Sequence, residues 1–291
     1  MATSTPGPNG WHVGARARRA RAGTSGRLRG PHLPDGLLRE ASLVAFAMLL
    51  YFVVRNLTVG AAATAQANAL DLHALERALG IDWEGSLQGL VARSDALVTL
   101  TNWVYIWGHW PLILTTAVAL YVLRPGHYRV LRNAMFVSGT IGFVFFAFLP
   151  VAPPRLVGLG LVDTVTERSH AYRALQPPGL TNQFAAFPSL HVGWNVLVGI
   201  VLFSATTVVA LRALAILSPL AMAFAVVATA NHFVLDVAGG LALVLVGLAA
   251  ALAFERREAT ATLSGNGHLD DRGPAGRGTV RRRPPGRQSP R

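Results

Sequence analysis

The sequence predicts an all-α integral membrane protein, a polytopic bundle of six transmembrane helices. Hydrophobic residues make up 52% of the 291 residues, and charged residues only 14%. The apolar residues fall in long runs rather than amphipathic stripes, and a spanning helix needs roughly 20 such residues. The basic residues lie mostly outside these runs. We therefore expect one membrane domain over residues 37–256, flanked by tails over 1–36 and 257–291.

Six apolar runs are the candidate spans. They cover about 38–55, 97–122, 133–150, 189–207, 209–230 and 233–254. Between the first two spans, residues 65–79 mix leucines with charged residues, which predicts an amphipathic helix lying on the membrane surface. The segment 124–132 is expected to be an arginine-bearing loop between the second and third spans. The long loop 151–188 then lies at the opposite face.

Arginine is distributed unevenly along the chain. The formal net charge is +12, and the 26 basic residues are all arginine and cluster towards both ends. Arginine excess is typical of the cytoplasmic flanks of spans and suits anionic lipid headgroups. The aromatic residues that accompany nucleic-acid binding are not interleaved with it, so we expect no nucleic-acid partner. The two Gly- and Pro-rich tails are predicted to be disordered and cytoplasmic, in a plasma-membrane protein.

A histidine and an aspartate stand four residues apart in the last apolar region. His232 and Asp236 share one face of a helix, so the carboxylate can orient the imidazole. One interpretation is structural, with the two groups simply satisfying each other. The other is an activated histidine whose second ring nitrogen is left basic or nucleophilic. Ionisable groups inside membranes are costly and usually functional, which favours the second interpretation.

A second histidine follows a proline at the start of another apolar run, in the order Pro188-Ser189-Leu190-His191. Proline is tolerated in a first helical turn, and the free amides there make a small anion site. Ser189 adds a hydroxyl donor, and His191 a proton for a leaving oxygen. The alternative is an ordinary capped helix with an interfacial histidine.

Two further sets of polar residues could line a pocket. Prolines at 150, 153 and 154 hold Arg155 near the membrane surface. Its planar guanidinium group suits a bidentate contact with a phosphate. The alternative is an interfacial arginine that extends to the lipid headgroups. Asn102, Tyr105 and His109 share one face of the second predicted span. A polar face points into the bundle, towards a headgroup pocket. The alternative for this tryptophan-rich segment is an aromatic belt at the interface.

Three of these motifs resemble the type 2 phosphatidic acid phosphatase superfamily in their order along the six apolar runs. They are the segments that contain Arg155, His191 and His232. The segments Pro188-Ser189-Leu190-His191-Val192-Gly193-Trp194 and His232-Phe233-Val234-Leu235-Asp236 resemble its branch of inositol phosphorylceramide and sphingomyelin synthases. The resemblance covers about 40–254 and implies a six-helix core with metal-independent histidine chemistry. The phosphatases carry Ser-Arg where Ala225 and Val226 stand here, and their lysine-containing first motif has no counterpart. These departures favour the transferase-like branch.

The resemblance also implies a role for each residue. His232 would attack phosphorus and become a phosphohistidine, with Asp236 orienting it. His191 would protonate the leaving oxygen and then act as base towards the acceptor, while Arg155 and Ser189 hold phosphate oxygens. The substrate would be a lipid phosphate, and the acceptor either water or an alcohol or lipid hydroxyl. The site would face the non-cytoplasmic side, and neither a metal nor a cofactor is expected.

Two other classes of function remain open from the sequence. A membrane haem or metal carrier could use His109, His191 and His232 as axial ligands. Such ligands need neither a carboxylate four residues on nor a Pro-Ser helix start. A scaffold or transporter could instead keep the fold with altered chemistry. The complete set of two histidines and an aspartate disfavours both.

Overall fold

The computed structural model describes residues 36–58, 60–168 and 182–270, and the regular elements within these ranges are all helical. The disordered tail predicted over 1–36 lies almost wholly outside the described residues. Ten α-helices are described: α1 Leu37–Thr58, α2 Ala62–Leu79, α3 Glu84–Val91, α4 Asp95–Trp107, α5 Trp110–Leu123, α6 Pro125–Phe148, α7 Thr164–Arg168, α8 Leu190–Ala205, α9 Val209–Ala228 and α10 Val234–Asp270.

Four of these helices, α1, α6, α9 and the first 25 residues of α10, are long and apolar enough to cross a membrane. A fifth span is obtained if α4 and α5, which meet at a bend of 41°, are counted together. Helix α8 is apolar but has only 16 residues. The chain is therefore an all-helical membrane protein with four or five candidate spans, and the prediction of six is not confirmed.

The predicted span over 97–122 is not one continuous helix, because the helix breaks at Gly108 and His109. Pro111 lies in the first turn of α5. Proline has no amide proton for the helical ladder and clashes with the preceding turn, so it begins a helix more readily than it continues one. The break moves His109 off the helix that carries Asn102 and Tyr105.

Two other boundaries differ from the sequence prediction. Helix α6 begins at Pro125, directly after α5, so the predicted loop over 124–132 is largely helical. Helix α10 continues to Asp270, beyond the predicted start of the C-terminal tail at 257. The chain divides into two compact units, Met1–Ala251 and Leu252–Arg291. Every candidate site residue lies in the first unit.

The first helix exposes its apolar side chains almost all round. Only 6% of its spanning window is buried, and Leu38, Leu49 and Leu57 are each more than 60% exposed. Apolar surface costs roughly 25 cal/mol per Å² in contact with water. A helix of this kind is stable when lipid covers it, which agrees with the membrane class.

Helix α8 packs against α5, α6 and α9 in the interior of the first unit. It also approaches α10 closely at a pair of glycines. A Cβ atom built on Gly193 would lie 2.7 Å from the carbonyl oxygen of Gly240. Only glycine permits this approach, which sets the start of α8 beside the start of α10.

The loop after α6 is fixed by backbone hydrogen bonds to the segment before α8. Val151 donates to Phe184 O at 3.0 Å, and Ala186 donates back to Val151 O at 3.1 Å. Ala152 donates to Ala65 O on α2 at 3.0 Å. The three sequence motifs are therefore gathered at one end of the helices.

Candidate active site

The two histidines of the sequence motifs lie next to each other in space. His191 stands in the first turn of α8, and His232 in the short turn between α9 and α10. Their ring centroids are 5.8 Å apart, with an interplanar angle of 54°. The two rings therefore lie at the same end of the bundle.

One ring nitrogen of His232 is held by two acceptors. Its Nδ1 lies 2.9 Å from Ala186 O and 3.3 Å from Asp236 Oδ2. Both oxygens accept hydrogen bonds, so the proton of a neutral imidazole resides on Nδ1. Nε2 then carries the free lone pair, which is the form required of a nucleophile or base.

His232 is 5% exposed and lies between the membrane-spanning segments α9 and α10. Burial lowers the pKa of the His232 imidazole to about 3, and the positive charge of Arg155 contributes to this shift. The hydrogen bond to Ala186 O opposes it. The ring is therefore neutral at pH 7, with its lone pair available.

Asp236 is fully buried in the first turn of α10. Its Oδ2 accepts from the amide of Phe233 at 2.8 Å as well as from the His232 ring. A carboxylate at a helix start is stabilised by the free amides and the dipole there. These bonds hold the carboxylate against His232 in the relation that the four-residue spacing predicts.

Ser189 immediately precedes α8 and is fully buried. Its Oγ lies 3.5 Å from the amide of Val192 and caps the helix. This is the ordinary use of a serine at a helix start. The oxygen acts as the acceptor in this cap, so the hydroxyl can still donate its proton elsewhere.

Arg155 lies in a short 3₁₀ turn, Pro154–Leu156, beside the histidine pair. Its Nε donates to Asp163 Oδ2 at 2.9 Å, and its Nη1 donates to Asn231 Oδ1. The guanidinium thus reaches the residue directly before His232. Two neighbours fix its direction, as expected of a group that presents a positive charge at a defined position.

The three residues of the predicted pocket lie in different environments. The side-chain amide of Asn102 makes two hydrogen bonds to Thr164 of α7. Its Nδ2 donates to Thr164 O at 2.8 Å, and its Oδ1 accepts from Thr164 Oγ1 at 3.0 Å. Tyr105 stacks on the His191 ring at 4.9 Å between centroids. His109 approaches the same ring to 4.3 Å. Tyr105 and His109 therefore contact the histidine pair through His191, whereas Asn102 joins two helices.

Several polar residues at the site were not found from the sequence. Asn195 Nδ2 donates to His191 O at 2.9 Å and lies 3.1 Å from His109 Nδ1. Glu76 and Glu84 are buried and accept hydrogen bonds from the first amides of α10. Asn195 lies one turn beyond His191, a spacing that could have identified it. Glu76 and Glu84 lie in segments that the sequence assigns to the membrane surface. No spacing relative to a motif residue indicates that they lie near the site.

These features define a class of protein: a helical membrane enzyme with a buried histidine pair, one member of which is oriented by a carboxylate. The model of the PAP2 superfamily matches residues 70–250, well over half of the chain, and the protein belongs to that superfamily. It is thus an enzyme of the phosphatase or phosphotransferase type. No curated protein and no solved structure matches the chain.

Proposed function

We propose that this enzyme is a phosphotransferase that acts on lipid phosphate esters through a phosphohistidine intermediate, without a metal at the reacting phosphorus. The observation that supports this best is the juxtaposition of His191 with His232, whose Nδ1 is held by Ala186 O and Asp236. A nucleophile and a general acid on opposite sides of one phosphorus are what such a reaction requires.

In the first half-reaction, Nε2 of His232 attacks phosphorus, and the bond to the leaving oxygen breaks. His191, which acquires a proton when the anionic phosphate binds beside it, gives that proton to the leaving oxygen. Asp236 stabilises the positive charge that develops on the His232 ring. Arg155 then balances the charge on the phosphate oxygens, helped by the free amides at the start of α8 and by the Ser189 hydroxyl.

In the second half-reaction, His191 takes a proton from the acceptor hydroxyl, whose oxygen attacks the phosphohistidine. The N–P bond breaks, and His232 is restored. The acceptor identifies the reaction class. An alcohol or lipid hydroxyl gives headgroup transfer of the inositolphosphotransferase kind, which the Pro188-Ser189-Leu190-His191-Val192-Gly193-Trp194 segment and the replacement of Ser-Arg by Ala225-Val226 favour. Water gives a lipid phosphate or pyrophosphate phosphatase, the second candidate.

A haem or metal carrier based on His109, His191 and His232 has less support. His232 Nδ1 is engaged by two acceptors, and the His191 ring is flanked by Tyr105 and His109 at ring-centroid distances below 5 Å. These rings fill the space in which a flat macrocycle would lie beside His191. An absorption spectrum of the purified protein tests this alternative, since a bound haem gives a Soret band.

The experiment that tests the proposed function incubates the purified protein with phosphatidic acid, an isoprenyl pyrophosphate or phosphatidylinositol, in chelator, with and without acceptor alcohols. Products that incorporate the alcohol indicate transfer, whereas inorganic phosphate indicates hydrolysis. His232→Ala should abolish both. His127→Ala, in the first turn of α6 and far from the loop that carries Arg155, is the matched control and should leave activity unchanged. Full turnover by His232→Ala would refute the histidine mechanism.

A further inference from the structure

Three side chains of the kind that bind metals converge beside the histidine pair without belonging to it. His73, Glu76 and Glu84 each offer one ligand atom, and these atoms all lie within 4.8 Å of one another. His73 and Glu76 are three residues apart on α2 and so share a helical face. Glu84 is the first residue of α3. The phosphoryl chemistry described above uses none of the three.

The two carboxylates are anchored at the start of α10. Glu84 Oε1 accepts from the amide of Val234 at 3.0 Å, and Glu76 Oε1 accepts from the amide of Leu235 at 2.7 Å. These amides have no partner within the helix, because the first turn lacks a preceding carbonyl. Each glutamate thereby uses its Oε1 on the backbone.

Two atoms of this cluster are buried without a hydrogen-bond partner among the described residues. They are Glu76 Oε2 and His73 Nδ1, and the Glu76 residue is fully buried. Buried polar groups nearly always have a partner, and those that lack one often mark an absent ion or water. Two such atoms in one cluster, both of ligand type, point to the same missing partner.

The electrostatics of the cluster also call for a positive charge. Glu76 and Glu84 are 0% and 2% exposed, and each offers a carboxylate oxygen within 4.8 Å of the other. Close carboxylates cannot both be ionised in a buried site unless a proton or a cation lies between them. A divalent cation between the two carboxylates satisfies both.

An ion can reach this cluster from one side. A cavity of about 340 Å³ adjoins it, lined by His73, Asp82, Glu84, Gly85, Ser86, Leu159 and Leu161. This volume exceeds the space that a single water molecule occupies by roughly tenfold. Acidic side chains in its wall would attract a cation.

We propose that His73, Glu76 and Glu84 form a binding site for a divalent transition-metal cation, which fastens α2 and α3 to the start of α10. One imidazole nitrogen and two carboxylate oxygens form a donor set suited to Zn²⁺ or Mn²⁺. The cation is structural. It supports the helix start that carries Asp236 and takes no part in the steps at phosphorus.

The test uses the full-length protein in detergent, stripped with a chelator and then titrated calorimetrically with ZnCl₂ or MnCl₂. The wild type should bind one ion per chain at this site. Glu76→Gln and Glu84→Gln keep the Oε1 acceptor and remove the ligand charge, so each should weaken binding by at least about 100-fold. Asp82→Asn is the matched control, since it changes the same cavity wall outside the three ligands, and should stay within about threefold.

A thermal-shift measurement provides the second readout. Added ion should raise the melting temperature of the wild type and of Asp82→Asn, but not that of Glu84→Gln. If Glu76→Gln fails to fold, His73→Asn carries the same test, because no hydrogen bond joins His73 to α10 among the described residues. Failure of the wild type to bind either ion, or wild-type affinity in the glutamine variants, would overturn the proposal. Neither readout needs a lipid substrate, so the result stands apart from the proposed phosphotransfer.

Discussion

The backbone amide of Ser189 donates to the carbonyl oxygen of Asp236 at 2.9 Å. This single bond joins the first turn of α8 to the first turn of α10. The bond therefore links Ser189, two residues before His191, to Asp236, whose carboxylate orients His232. Although they are separated by more than forty residues of sequence, the two halves of the site are one hydrogen-bonded unit.

Asp236→Asn tests the role of the carboxylate. The amide keeps an oxygen near His232 Nδ1, but it cannot stabilise a positive imidazole or enforce the tautomer. We expect activity to fall by about 10²–10⁴-fold, with little change in KM. Steady-state kinetics on a lipid phosphate measure it, and a melting curve verifies the fold. A variant with wild-type kcat would show that the pair is only structural.

Gly193→Ala tests the close approach of α8 to α10. The added methyl group meets the Gly240 carbonyl and must push the two helices apart. Displacements near 1 Å at a reacting centre can cost about 100-fold in rate, so we expect a loss of about 10–100-fold in kcat. Gly89→Ala on α3 is the control, because no heavy atom lies within 4 Å of its added Cβ. Equal activity in both variants would contradict the predicted coupling.

The position of His232 beside Asp236 could be predicted from the sequence more readily than the helices that surround the site. The four-residue spacing of His232 and Asp236 and the Pro-Ser start of α8 are local signals, and the geometry at both positions follows from one helical turn. The partners from distant segments carry no such signal. Glu76 lies on a helix with charged and apolar residues intermixed, and its buried position depends on contacts with distant segments such as Leu235.

The number of spans was harder to predict because apolar length alone does not locate helix breaks. The run over 97–122 is predominantly apolar, yet Pro111 divides it and the two parts meet at 41°. Conversely, α6 begins earlier than its apolar run, since Pro125 starts a helix whose first turns carry arginine and tyrosine. Glu40 on α1 binds both Tyr128 and Arg132 there, which helps to fix these polar turns in the bundle.

The depressed pKa of His232 predicts a specific pH dependence of stability. The imidazole has a pKa of about 3 in the folded protein, against 6.5 ordinarily. Between these values the unfolded chain binds a proton that the folded chain does not, so stability is complete above pH 6.5 and is lost as the pH falls. Between pH 7 and 4, the melting temperature of the wild type should fall more steeply than that of His232→Gln. Parallel curves would contradict this.

Single cysteines can test which side of the membrane holds the site, because the chain has no native cysteine. Gly89→Cys lies on α3, whose first residue Glu84 accepts from the amide of Val234 next to the His232 turn. Thr207→Cys lies in the loop at the far end of α8. Both positions are exposed. In intact cells, an impermeant maleimide should label the first and spare the second. The reverse pattern would place the site on the cytoplasmic side.

The most direct test of the account is to trap the covalent intermediate. Wild-type protein is mixed with a ³²P-labelled lipid phosphate, quenched in alkali within the first turnovers and digested for peptide mapping. We predict an alkali-stable, acid-labile phosphate on the peptide that contains His232, and none in His232→Ala. Turnover without any phosphate on that peptide would contradict nucleophilic attack by His232.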